Sequence, residues 1–300
     1  MKRTNDGLQS TVRGGMAALA AGSMIALGGC DDVVVVDRNC DEAHAPVGLY
    51  SVTGDEEVTV FWIPVAEEDV DVFVVYRSSS PDGVFTEIGH SRRDYFVDRS
   101  VVNGRTYFYA VAAVDHCGYE SDLSYEIAYD TPRPEGFDEV LYDANGANWL
   151  RSAWDFDRYR AVPWDTEDAD IIFLWSDGVP YLLAADENTD IQDAGFAGFD
   201  DVSWAPTEGW SPTGTVEAIP GHVYVVWTWN NHFAKVRVRQ IQGDTIVFDW
   251  AYQIDGGNQE LSPRVPIRVL SPTVSPASRS LAASTDDADL LNARISAGRE

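Results

Sequence analysis

The chain is short of basic residues, sulfur and histidine. Its 300 residues include 21 Lys and Arg against 49 Asp and Glu, three Cys, three Met and five His, for a formal net charge of −28. So acidic a chain makes nucleic acid and anionic lipid surfaces poor partners. There is no CxxC pair and no Cys/His cluster, which excludes a zinc site of the usual ligand spacing. Charged residues make up only 23% while 45% are hydrophobic and 12% aromatic, so overall disorder is excluded too. The length is enough for two domains of ~100–150 residues each.

The uncharged apolar stretch from Gly15 to Gly29 falls short of the about 20 residues that cross a bilayer. With Lys2, Arg3 and Arg13 ahead of it, it has the pattern of a removable export signal. It closes on Leu27-Gly28-Gly29-Cys30, which resembles the bacterial lipoprotein box. The resemblance implies that residues 1–29 are removed, that the Cys30 thiol is acylated, and that the protein is lipid-anchored in a bacterial cell envelope. An ordinary export signal with a chance cysteine is the alternative. Export would carry Cys40 and Cys117 to where disulfides persist. If paired, they close a loop of ~80 residues, worth ~4 kcal/mol in the chain-entropy model. Free thiols or an intermolecular link are the alternatives. Residues 30–44 read as a short tether.

Residues 45–134 read as all-β. Val58 to Trp62 alternates, Val72 to Tyr76 follows, and Tyr107 to Val114 is a third strong strand, with turn residues at Ser80-Pro81-Asp82-Gly83 and Asn103-Gly104. Pro46, Leu49, Trp62, Tyr76-Arg77, Tyr107, Tyr109, Val111, Ala113, Asp115, Gly118, Ser121 and Ser124 together resemble a fibronectin type III domain of the bacterial kind. The resemblance implies a β-sandwich used as a spacer or binding surface. It also puts the start of the first strand and the loop after the Tyr107 strand at one end of the sandwich, making Cys40 and Cys117 neighbours. His90, His116 and Asp115 are this domain's only tempting polar residues, and the Cys/His pair of the Asp115-His116-Cys117-Gly118 loop is adjacent in sequence, which rarely presents two side chains to one substrate. Pro132-Arg133-Pro134-Glu135-Gly136 reads as a semi-rigid linker.

Residues 137–270 hold nine of the ten tryptophans and read as a second, mainly antiparallel β domain. Ala169 to Trp175 and Val179 to Ala184 flank a Ser176-Asp177-Gly178 turn, while Ile191 to Gly198 is ambiguous. A two-residue turn at Asn230-Asn231 pairs Trp227 with Ala234, Val225 with Val236 and Val223 with Val238. The other side then carries Thr228 with Phe233, Val226 with Lys235, Tyr224 with Arg237 and His222 with Arg239, one apolar face against one mostly polar. A third strand alternates Ile246, Phe248, Trp250 and Tyr252. The stretches Tyr224 to Thr228, Phe233 to Val238 and Phe248 to Gln253 resemble the C-terminal part of the HmuY family, and Trp154-Asp155-Phe156-Asp157 resembles its early strand. That resemblance implies a haem-capture lipoprotein.

The chemistry is sparse. His222 and His232, the only histidines of the second domain, lie ~23 Å apart in that register at about 3.3 Å per residue, so they do not ligate one iron. Haem through one histidine or tryptophans alone stays open. Glycoside hydrolysis needs two carboxylates at a set separation, and none of the acidic runs at 165–170, 186–193 and 200–201 singles out a pair. Asp143, Asn145 and Asn148 with Gly146 have the oxygen-rich look of a calcium loop without the closing Glu of an EF-hand. Trp149, Trp154, Trp204 and Trp210, with Trp227 and Trp229 on the hairpin, are the candidate ligand-stacking rings, core packing being the alternative for each. Residues 271–300 read as a flexible tail. The expectation is an exported envelope binding protein and not an enzyme, with a haem-capture lipoprotein, a structural or adhesive envelope module and a glycan-processing enzyme as its alternatives. No cofactor is required, calcium and haem are its alternatives, and the partner is an envelope protein, a glycan or a small ligand.

Overall fold

The structure is a computed structural model and describes residues 43–64, 70–262 and the backbone of 268–269. The expectations for the export signal, Cys30, Cys40 and the segment after 270 lie outside the described residues.

Alternation builds the first module. Its strands are β1 (Val47–Thr53), β2 (Val58–Ile63), β3 (Val70–Ser78), β4 (Thr86–Ser91), β5 (Tyr95–Asp98), β6 (Tyr107–Asp115) and β7 (Glu126–Asp130). They form two antiparallel sheets, β1-β2-β5 and β7-β6-β3-β4, the fibronectin type III arrangement. Val58, Val60 and Trp62 of β2 turn inward with Leu49 against Phe73, Val75, Tyr109 and Val111 of the facing sheet. The alternate residues of β6, Phe108, Ala110 and Ala112, turn outward and are covered by Leu123, Ile127 and Tyr129. The central strand is therefore buried on both faces.

The second module comprises β8 (Glu135–Tyr142), a 3-10 turn at Trp149–Arg151, β9 (Ala153–Asp155), β10 (Arg160–Val162), β11 (Ile171–Ser176), β12 (Val179–Ala184), β13 (Asp190–Phe196), β14 (Thr215–Glu217), β15 (His222–Trp227), β16 (Phe233–Gln242) and β17 (Thr245–Gln253). These make two five-stranded sheets, β10-β9-β11-β12-β14 and β13-β15-β16-β17-β8. Between them lies an aromatic core of Trp154, Phe156 and Phe173 against Tyr224, Phe248, Trp250 and Tyr252. The aromatic side of β17 thus faces a filled core. Asp177 and Gly178 join β11 to β12 at φ 51° and 81°, both left-handed, as a two-residue type I′ turn requires. The ambiguous Ile191 segment is strand β13. A last strand, β18 (Arg268–Val269), returns to pair with β7 of the first module.

Two expectations are corrected. The hairpin register is one residue off: Trp227 pairs with Phe233, Val226 with Ala234, Val225 with Lys235, Tyr224 with Val236 and Val223 with Arg237. The cause is the turn. Thr228 N donates to His232 O at 2.9 Å and Asn231 N to Thr228 O at 2.9 Å, with Asn231 at φ 66°, which makes a three-residue loop closed by a left-handed residue. A one-residue slip exchanges faces. Tyr224, Val226, Ala234 and Val236 enter the main core, while Val225, Trp227 and Phe233 pack on the other side with Ala205 and Leu261. Lys235, expected on a polar face, is fully buried. The second correction concerns Pro132 to Gly136, which is no linker. Residues 131–134 are buried, Gly104 N donates to Pro132 O at 2.8 Å, Arg133 N to Gly54 O at 3.1 Å and Tyr252 N to Pro134 O at 3.0 Å. The segment is the seam along which the two modules are joined.

Candidate functional site

The six candidate tryptophans do not converge. Trp154 is 1% exposed and sits in the core, edge-on to Phe248 at 5.3 Å and tilted on Trp250 at 5.5 Å. Trp204 packs on the outer cluster of the first module, so it is part of the seam. Trp210 lies 6.0 Å from Trp227, and Trp227 is stacked on Phe233 at 5.3 Å with its Nε1 donating to Asn231 Oδ1 at 3.0 Å. Trp149, at the 3-10 turn, and Trp229, 55% exposed at the hairpin tip, are the two of the six with open rings.

The calcium candidates have local work. Asp143 Oδ1 accepts from Asn145 N at 3.1 Å and from Trp175 N at 2.9 Å, and Asn145 Nδ2 donates to Trp175 O at 3.1 Å, which pins the loop to β11. Asn148 precedes the 3-10 turn without a side-chain cap. Among the described residues no group of three His, Cys, Asp or Glu is placed to hold a metal ion. The two histidines stand at opposite ends of the β15–β16 hairpin. His222 Nδ1 lies 3.0 Å from both Asp193 oxygens. His232 Nδ1 lies 3.0 Å from the Tyr252 hydroxyl, which donates to Asp157 Oδ1 at 2.7 Å. Burial and the Asp157 carboxylate push the Tyr252 hydroxyl well above the usual phenol range. In the first module, Asp115 Oδ1 accepts from Cys117 N and Tyr119 N at 2.8 Å each, so its carboxylate holds a turn.

What the fold does assemble is a cleft of about 330 Å³ between the modules. One wall is the outer side of the β1–β2 pair: Val52 and Thr59 on the strands, Gly54 and Glu57 at their turn. The other wall is the side of β16 that carries Phe233, Lys235, Arg237 and Arg239 at alternate positions. Loop residues 199–205 and Leu261 cover this side over Phe233 and Lys235, with Lys235 Nζ 4.4 Å from the Phe199 ring and 3.5 Å from Val202 O. The cover ends there, and Arg237 and Arg239 line the cleft with Phe137, Phe199, Glu135, Asp200 and Asp249. Phe137 is 56% exposed and meets Phe199 edge-on at 5.8 Å. The arrangement offers apolar rings on one side of a small ligand and charged hydrogen-bonding groups on the other.

The cleft's charges are mostly matched. Arg133 Nη1 lies 2.8 Å from Glu135, Arg99 Nη2 2.8 Å from Glu57, Arg239 Nη1 3.1 Å from Asp249, and Lys235 Nζ 3.9 Å from Asp200. Asp249 Oδ1 also accepts from Asp138 N at 3.1 Å. Burial raises the Glu135 carboxyl, with Arg133 acting in the opposite sense. Sequence reasoning missed this cleft. The signal that would have found one wall is Lys235, Arg237 and Arg239 at alternate positions of one strand, a concentration of cations in a chain that has few.

No family model matches the chain. Among curated proteins, the amylopullulanase of Thermoanaerobacterium thermosulfurigenes is 26% identical over 138 residues, 45% of this chain and 7% of that protein. The amylopullulanase of Thermoanaerobacter thermohydrosulfuricus is 31% identical over 121 residues, 39% of this chain and 8% of that protein. The chain spans less than a tenth of the length of either. Among solved structures, an Fn3-like protein from Clostridium thermocellum is 24% identical and is covered whole by 32% of this chain, at a TM-score of 0.27. A beta-1,2-glucanase from Parabacteroides distasonis is 26% identical over 30% of this chain and 13% of that one, at a TM-score of 0.28.

Proposed function

We propose that this chain is an exported, lipid-anchored envelope protein that binds a carbohydrate in the cleft between its two modules. The observation that carries the reading is the cleft itself, with Phe137 and Phe199 on one side and Arg237 and Arg239 on the other. The fibronectin type III module is then both spacer and wall. The name of the curated relatives, amylopullulanase, is that of carbohydrate-acting enzymes, which supports the ligand class. Titration calorimetry with a panel of neutral and acidic oligosaccharides tests it. A binding sugar is expected to lose about tenfold in affinity in Phe137→Ala, because an exposed ring that stacks on a sugar contributes on the order of 1 kcal/mol or more. No binding across the panel would sink the reading. Haem titration followed by visible absorbance tests the haem-capture alternative separately.

The anchor in this proposal is acylated Cys30, whose chains contribute ~0.8 kcal/mol per buried methylene. Cys30→Ser is expected to move the protein from the membrane to the soluble fraction of fractionated cells, and retention in the membrane would refute the anchor. Cys117 pairs with Cys40 in this reading, tying the tether to the first module in a compartment where disulfides persist.

A further inference from the structure

One cation of the cleft has no counterpart. Glu57, Glu135, Asp200 and Asp249 each face a Lys or Arg of their own, and the guanidinium of Arg239 is taken by Asp249. Arg237 has no hydrogen bond or ion pair among the described residues, and its Nε is buried without an acceptor. Its cross-strand neighbour on β17 is Asp249, whose two oxygens are already held by Arg239 and Asp138 N. A half-buried guanidinium without a partner is costly, and in a chain of net charge −28 anions from solution are repelled at long range. Retained there, it is poised to receive a negative group delivered by a ligand that other contacts hold.

The geometry points to a carboxylate as that group: resting on the carbohydrate reading above, we propose that the cleft selects uronate-bearing sugars and that Arg237 receives the uronate. A guanidinium matches a carboxylate with two parallel N–H···O bonds. Entry of one carboxylate neutralises Arg237 and breaks none of the existing pairs. A phosphate would bring two charges to the single unpaired cation, whereas a uronate brings one per sugar ring. Phe137, Phe199, Val52 and Thr59 provide the apolar surface for the sugar ring. The cavity of about 330 Å³ lies at the lower end of the ~300–1,000 Å³ range of ligand pockets, suited to a short segment of chain.

Calorimetry on the full chain with trigalacturonate, its methyl ester and maltotriose tests the inference. Trigalacturonate is expected to bind at least tenfold more tightly than the other two. Arg237→Gln, at an unchanged thermal midpoint, is expected to erase that difference, and Arg237→Lys to restore only part of it, because an ammonium lacks the planar fork. The ester comparison uses unaltered protein and so does not depend on the variants folding. Equal affinity for the acid and its ester, or full trigalacturonate affinity in Arg237→Gln, would overturn the proposal. Phe137-sensitive maltotriose binding without any preference for the acid would leave the carbohydrate reading standing and remove the uronate. Silence from all three sugars would remove both.

Discussion

Arg133→Ala is expected to lower the unfolding free energy by about 3–5 kcal/mol at pH 8.5, and by clearly less at pH 5.5. Arg133 is 0% exposed at the seam, with Nε donating to Leu261 O at 2.7 Å and Nη1 to Glu135 at 2.8 Å. Beside it are two buried carboxyls, Asp130 from the first module and Glu260 from the end of the second. Asp130 accepts from Thr53 Oγ1 at 2.7 Å and Glu260 Oε1 from Thr131 N at 2.6 Å. Burial raises both carboxyls far above the usual carboxylate range, the Asp130 charge raises Glu260 further, and Arg133 opposes the shift in each. Without the guanidinium, ionising them at alkaline pH leaves uncompensated buried charge. At pH 5.5 they remain protonated, and the loss shrinks to the missing packing and hydrogen bonds.

The same groups set a slope in the unaltered protein. Their folded pKa values lie above the unfolded ones, so the stability they contribute is fully present below about pH 4 and is lost as pH rises into and through neutrality. Asp170, pushed up to about 7 by burial, acts in the same sense. Glu260→Gln keeps an oxygen for Thr131 N and cannot ionise. It is expected to flatten the slope and to equal or exceed the parent in stability at pH 8.5. Urea unfolding of the three proteins at the two pH values checks both statements. A Glu260→Gln protein that loses as much stability as Arg133→Ala at pH 8.5 would show that the carboxylate form is needed.

Trp154→Ala is expected to cost about 3–5 kcal/mol by leaving a cavity among Phe248 and Trp250, whereas Trp154→Phe is expected to cost about 1 kcal/mol. The contrast follows from the indole nitrogen, which is buried and has no acceptor among the described residues. Replacing indole by phenyl removes a donor already left unsatisfied, so its loss offsets part of the lost packing. Thermal unfolding of both variants measures this directly. A Phe variant as damaged as the Ala variant would mean that the nitrogen has a partner of importance, as a ligand-contacting tryptophan would.

The alternation of β2, the Asp177-Gly178 turn and the aromatic side of β17 could be read locally, because each is set by a period of two residues or by a turn that only certain residues adopt. The β15–β16 register could not. Val223 to Val226 is apolar at both parities, so the alternation of Ala234, Val236 and Val238 with Lys235 and Arg237 can be matched to either of its faces, and the left-handed Asn231 decides. The error matters for the site, since it gives Lys235, Arg237 and Arg239 the wrong neighbours: Val225 and Trp227, not Val226 and Tyr224, share their sheet face, which runs from buried to open. Tryptophan count misled for a related reason: with the second sheet buried on both sides, the rings at 154 and 227 are consumed by two cores where one was anticipated.

The sequence by itself determined an all-β chain, a fibronectin type III module and a second module built around β15 to β17. Short-range alternation encodes strands, and strands with apolar faces must stack. Only the tertiary structure decided that Pro132 to Gly136 is a seam, that Asp130 meets Glu260, and that Val52 faces Arg237. Thr131 and Glu260 are 129 residues apart in the chain, and no periodicity reports which two distant polar groups will share one water-excluded space. That outcome depends on how two finished sandwiches fit together, and the charges trapped where they meet are legible only once they have.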